Sequence, residues 1–200
     1  MHRHAAVAVA VLFAVACAER PEPTSPMTLA VYQHMAASSD NANGGNFGTQ
    51  LAPENEVMPA GVVNTSRAVG NAVFQLSADG TELTYKLIVA NIENVFQAHI
   101  HSGAVGSNGP IVVWLYPSTT PGAGPLGGGR IQGVIAQGTI RASNFVGPLG
   151  AQPMSALLAL IEAGTAYVNV HTNDGVAPGN TGPGDYPGGE VRGPIGVRGN

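Results

Sequence analysis

From Phe47 onward the chain is a series of short apolar runs cut off by glycine, proline, asparagine and aspartate. That rhythm suits an all-β domain with many turns. Ala68–Leu76 is one such run, and Ser77-Ala78-Asp79-Gly80 after it carries the Asp-Gly pair that favours a tight hairpin. Glu82–Val89 then alternates, placing Leu83, Tyr85, Leu87 and Val89 on one face of a returning strand. Further strands are expected at Ala98–His101, Ile111–Tyr116, Ile131–Ile135, Gly138–Arg141, Thr165–His171 and Glu190–Val197. Trp114, on the Ile111–Tyr116 run, is expected in the core. The 28 glycines and 15 prolines follow no collagen period; they mark turns.

One segment breaks the β rhythm. Met154–Ala163 is rich in alanine and leucine, is entered at Pro153 and left at Gly164, and these are matched helix signals. Leu157, Leu160 and Ile161 should pack it onto a sheet edge. Several short strands with one capping helix read as an antiparallel β-sandwich.

The start of the chain has another character. His2, Arg3 and His4 precede an uncharged apolar stretch, Ala5–Ala16, and then Cys17, the only cysteine. The stretch is too short to span a bilayer, which needs about 20 residues, and it fits the apolar part of a signal peptide over residues 1–16. Phe13-Ala14-Val15-Ala16-Cys17 resembles the bacterial lipoprotein box, in which the cysteine is lipidated; Ala14 departs from the usual leucine there. Ordinary cleavage after Ala16 or Ala18 is the alternative. Residues 17–46 would then be a lipidated Cys17 and a Pro/Ser/Asn-rich tether, with the domain at 47–200. The expected location is the outer membrane, periplasm or cell surface, or secretion if Cys17 is unmodified. A single cysteine allows no internal disulfide, so packing alone must hold the fold.

With 8 basic against 12 acidic residues and no basic cluster, the chain lacks the phosphate contacts that nucleic acid requires. For the same reason an anionic membrane surface would not hold it; a lipid anchor is the only membrane attachment expected. Any partner would be a protein or surface ligand that the sequence does not specify.

Six motifs, taken in order, are similar to those of the CHRD domain, the module named after repeats in chordin and also found in exported bacterial proteins. They are Leu51–Val57, Asp79–Tyr85, Ala98–Gly103, Asn108–Val113, Ala166–Thr172 and Gly189–Gly193. Met58-Pro59 stands where that family often has two prolines, and the loops at Pro117–Gly129 and Thr172–Gly188 are longer than usual. The resemblance implies an immunoglobulin-like or superoxide-dismutase-like sandwich over about Phe47 to Val197, and no established activity.

Three of the six histidines sit in two of the motifs: His99 and His101 in one, His171 in another. Strand side chains alternate, so His99 and His101 share a face about 6.5 Å apart. Tyr167 and Asn169 share a face with His171. Neutral imidazole is a common ligand for zinc and copper, and three leave a coordination position open. Glu190 is a candidate fourth ligand or, with Asn169, a hydrogen-bond acceptor orienting an imidazole. Glu190 and Arg192 share a strand face and are expected to form an internal ion pair. Against the metal stands a purely structural network, with the imidazoles bonded to backbone carbonyls, Asn169, Thr172 or Glu190. Asn173, Asp174, Asn180 and Asp185 match no calcium-loop spacing. No nucleophile elbow or complete catalytic triad appears, so no catalytic residue is assigned.

Three functions from different classes follow. The first, and the one the sequence favours because no complete catalytic constellation accompanies the sandwich, is a non-enzymatic binding or structural module tethered outside the cytoplasm. The second is a copper- or zinc-binding protein using His99, His101 and His171. The third is a metalloenzyme of the copper–zinc superoxide dismutase type, which fold analogy alone suggests and which needs more ligands than these.

Overall fold

The computed structural model describes residues 45–198. The leader, Cys17 and the tether up to residue 44 lie outside the described residues. Among the described residues there are nine strands and one α-helix: β1 (Asn46–Leu51), β2 (Val69–Leu76), β3 (Glu82–Glu93), β4 (Val95–Ser102), β5 (Ile111–Tyr116), β6 (Arg130–Arg141), α1 (Met154–Glu162), β7 (Ala166–Thr172), β8 (Val191–Pro194) and β9 (Gly196–Val197). They form two antiparallel sheets, ordered β6-β3-β2-β1-β9 and β5-β4-β7-β8. This is the expected all-β sandwich.

Alternation explains the first sheet. Leu83, Tyr85, Leu87 and Val89 of β3 point inward and are buried, while Thr84 and Lys86 between them are exposed. The hairpin forms as Asp79-Gly80 requires, with Gly80 at φ +72 and the Ser77 N–H donating to the Glu82 carbonyl. Tyr85 can sit in the core because its hydroxyl donates to the Leu115 carbonyl of the opposite sheet at 2.7 Å. The runs expected as two strands at Ile131–Ile135 and Gly138–Arg141 are one strand, β6. It shifts register against β3 at two irregularities, with Gly133 at φ +101 beside one of them.

The helix stands where its end signals put it. Met154, Leu157 and Ile161 are buried and Leu160 half-buried. Gly164 takes φ +67, and the N–H groups of Gly164 and Thr165 close back on the Ile161 and Leu160 carbonyls, a Schellman ending.

The last expected strand, Glu190–Val197, is divided. β8 pairs with β7 in one sheet and β9 with β1 in the other, and Ile195, 1% exposed, fills the core at the crossing. Before the crossing β8 runs close against β1: a Cβ on Gly193 would lie 2.0 Å from the Gln50 carbonyl oxygen. Only glycine allows that approach.

β7 is buried along its whole length. Its inner side chains, Ala166, Val168 and Val170, belong to the core. Its outer ones, Tyr167, Asn169 and His171, are covered by the segments around Glu56, Gly109 and Pro187. The candidate site lies under that cover.

Candidate metal centre

Strand register brings the histidines together. β4 lies beside β7 with His99 opposite Asn169, His101 opposite Tyr167 and Gln97 opposite His171. All six residues therefore project from one face. His99, His101 and His171 are 1%, 8% and 7% exposed. Their candidate ligand atoms all lie within 4.8 Å of one another, and theirs is the one such metal-competent group among the described residues.

Backbone partners fix two tautomers. His101 Nδ1–H donates to the Gly109 carbonyl at 2.9 Å, and His171 Nδ1–H donates to the Pro187 carbonyl at 3.0 Å. A carbonyl only accepts, so both rings carry a lone pair on Nε2. The Nε2 of His171 is 3.1 Å from His99 Nδ1. Two nitrogens bound tetrahedrally to one ion at 2.0–2.1 Å sit about 3.3 Å apart, so this pair already has ligand spacing. The widest pair needs to draw in by about 1–2 Å on the same geometry.

Electrostatics keep the cluster neutral. Burial, reinforced by His171 and His101, pushes the His99 imidazole down from 6.5 to about 2. Burial and then His101 push His171 down to about 4, against the Pro187 carbonyl. His101 is also lowered, by burial first and then by Arg192, while its bond to Gly109 works the other way. All three are therefore unprotonated near neutrality, the state in which imidazole binds metal.

Aromatic rings pack the cluster. Trp114 corrects the expectation of a core tryptophan. On β5 it is half-buried on the histidine face, with its ring edge-to-face against His99 at 4.2 Å between centroids. Its neighbours Val113 and Leu115 point inward instead. Tyr167 stacks on His101 with centroids 5.0 Å apart, and the Arg192 guanidinium lies 3.4 Å over the Tyr167 ring. The Tyr167 hydroxyl accepts the Gly109 N–H, so Gly109 is held by Tyr167 and His101 together.

Glu190 stands apart from the imidazoles. Its carboxylate accepts from Ser66 Oγ, from Thr172 Oγ1 at 2.6 Å and from the Gly184 N–H at 2.8 Å. These bonds use it to pin the 173–190 loop. The expected Glu190–Arg192 ion pair does not form. Arg192 instead donates to Asn108 Oδ1 and the Ser107 carbonyl and covers Tyr167, reaching the histidines only through that ring. Asn169 sits among the histidines as expected, but its amide donates to Glu56 Oε2 at 3.5 Å and the Gly188 carbonyl at 3.4 Å.

Glu56 is the residue that sequence reasoning missed. It lies within the Leu51–Val57 motif, and a carboxylate in a chain only 10% charged was the available signal. Burial raises it from 4.5 to about 8, with Arg192, a backbone bond at Val57 and Asn169 opposing.

Six buried side-chain polar atoms lack a hydrogen-bond partner among the described residues. Four of them surround this face: His99 Nε2, His101 Nε2, Asn169 Oδ1 and Glu56 Oε1. Each such orphan costs about 1–3 kcal/mol when nothing fills it, and four of the six gather on this one face.

The architecture and the cluster define a class: an antiparallel β-sandwich carrying a buried three-imidazole group on the outer face of one sheet. The CHRD domain family matches residues 47–195, and the chain belongs to that family. Membership places it among domains that serve binding or structure. No curated protein and no solved structure matches the chain.

Proposed function

We propose that this protein is an exported CHRD domain, tethered through Cys17, that binds one copper or zinc ion on His99, His101 and His171. One observation carries the metal reading. Three neutral, buried imidazoles from two strands converge, and backbone carbonyls hold two of them with Nε2 lone pairs free of protons. A purely structural network would leave His101 Nε2, whose proton sits on Nδ1, buried without a partner, which is costly. Nitrogen-only ligation suits copper and zinc and disfavours magnesium and calcium. The leader ahead of Cys17 supports export, where such a site would meet extracytoplasmic metal. Three ligands on one ion do not supply the second metal of a copper–zinc dismutase, so a binding role is the reading preferred.

Equilibrium dialysis of the domain against Cu(II) and Zn(II) tests this, with fluorescence of Trp114, the chain's single tryptophan, as an optical readout. One equivalent should bind, with copper quenching the indole that touches His99. Absence of stoichiometric uptake, or equal uptake by a His99→Ala/His101→Ala/His171→Ala variant, rules the reading out.

A further inference from the structure

We propose that the centre holds an exchangeable water at its open coordination position, and that Glu56 and Asn169 position that water as hydrogen-bond acceptors. The inference rests on the metal reading above and extends it to what the bound ion would bind in turn.

Asn169 is 2% exposed and stands directly opposite His99 on the neighbouring strand. Its Oδ1 has no partner, although its Nδ2 is engaged. Glu56 reaches the same place from the segment after β1, bonded to Asn169 through Oε2 while its buried Oε1 is also unpartnered. Both side chains crowd Gly189, where an added Cβ would lie 2.5 Å from Asn169 Oδ1 and 2.8 Å from Glu56 Oε1. The backbone is therefore a bare glycine where the two oxygens gather.

The Glu56 carboxylate is not among the groups close enough to ligate with the histidines. Asn169 Oδ1 is an acceptor that lacks a donor, Glu56 Oε1 becomes one once its carboxyl is ionised, and a water on a dication is a strong donor. Three imidazoles leave the fourth position for that water. Burial makes an ionised Glu56 unfavourable, and Arg192 only partly offsets this. A nearby dication would supply the missing positive charge. A pocket of about 290 Å³ is lined by Glu56, Tyr167 and Arg192; it reaches Glu56 and the ring stacked on His101, while none of the three imidazoles lines it.

The test uses azide as the probe anion on the copper-loaded domain, followed by its charge-transfer absorption and by electron paramagnetic resonance. Wild-type protein, Glu56→Gln and Asn169→Ala are compared. Wild type should bind one azide. With the ion bound, Glu56→Gln removes a carboxylate that holds the water and repels the anion, and should bind azide at least about tenfold more tightly, with one copper still bound at lower affinity. Asn169→Ala should alter the copper spectrum before azide is added. Copper-loaded proteins with identical spectra and azide affinities overturn the proposal and leave the metal reading standing. Loss of copper uptake in Glu56→Gln also overturns it, because Glu56 would then be a ligand itself. No copper uptake by wild type overturns both.

Discussion

Metal should raise the melting temperature of this domain, and the size of the rise follows from where the ligands sit in the chain. His99 and His171 are 72 residues apart in sequence, yet their ring nitrogens are 3.1 Å apart in the fold. An unfolded chain offers an ion the His99/His101 pair cheaply, but must close that loop to add the third imidazole. Closure of a loop that long costs about 4 kcal/mol. The folded state has already met this cost, so at saturating metal its binding exceeds that of the unfolded chain by about that amount. In a domain of this size, each kcal/mol moves the melting temperature by about 2–4 °C, giving a rise of about 8–16 °C. Thermal denaturation followed by circular dichroism, with excess zinc and then with a chelator, measures it. His171→Ala should retain little of the rise, because folded and unfolded chains then offer the same ligand pair. A rise below about 2 °C in wild type, or an equal rise in His171→Ala, refutes the reasoning.

Two further outcomes are expected. The metal-free domain should be most stable near pH 6.5 and weaken on both sides. His99 and His171 have folded values near 2 and 4, below their ordinary 6.5, so the unfolded state binds more protons below 6.5 and stability falls with acid. Glu56, raised from 4.5 to about 8, has the opposite sign: its contribution is complete below 4.5 and is lost as pH rises to 8. Urea denaturation in chelator at pH 5, 6.5 and 8 measures the curve, and a pH 5 value at or above the pH 6.5 value contradicts the histidine burial. Gly193→Ala should cost about 3 kcal/mol or more by overpacking, since its Cβ would meet the Gln50 carbonyl at 2.0 Å. An unfolding free energy within 1 kcal/mol of wild type, a bound set by the same overpacking range, shows that β8 does not need that approach.

Local features were legible in the sequence where local physics decides them. The period-two run of β3, the Asp79-Gly80 turn and the Pro153/Gly164 bounds of α1 all depend on residues close in the chain, and each formed as expected. The shared face of His99 and His101 was legible for the same reason. Their meeting with His171 was a wager on strand order, which tertiary pairing sets. Trp114 was misplaced because an apolar strand residue reads as core when the outer face of a sheet is assumed to be wet. Here loops bury that face, and β7 is covered on both sides. Glu190 was misassigned, and Glu56 overlooked, for a related reason. Which carboxylate reaches Asn169 depends on how the segment after β1 folds over the second sheet, and no periodicity encodes that.

The division of the final strand also bears on how the two sheets hold together. Residues 191–197 supply the closing edge of one sheet and then of the other. β1 and β7 each have one hydrogen-bonded neighbour besides, β2 and β4, and gain their second only from this segment. One stretch of seven residues thus completes both layers of the β-sandwich, so a change that loosens either edge pulls on the other.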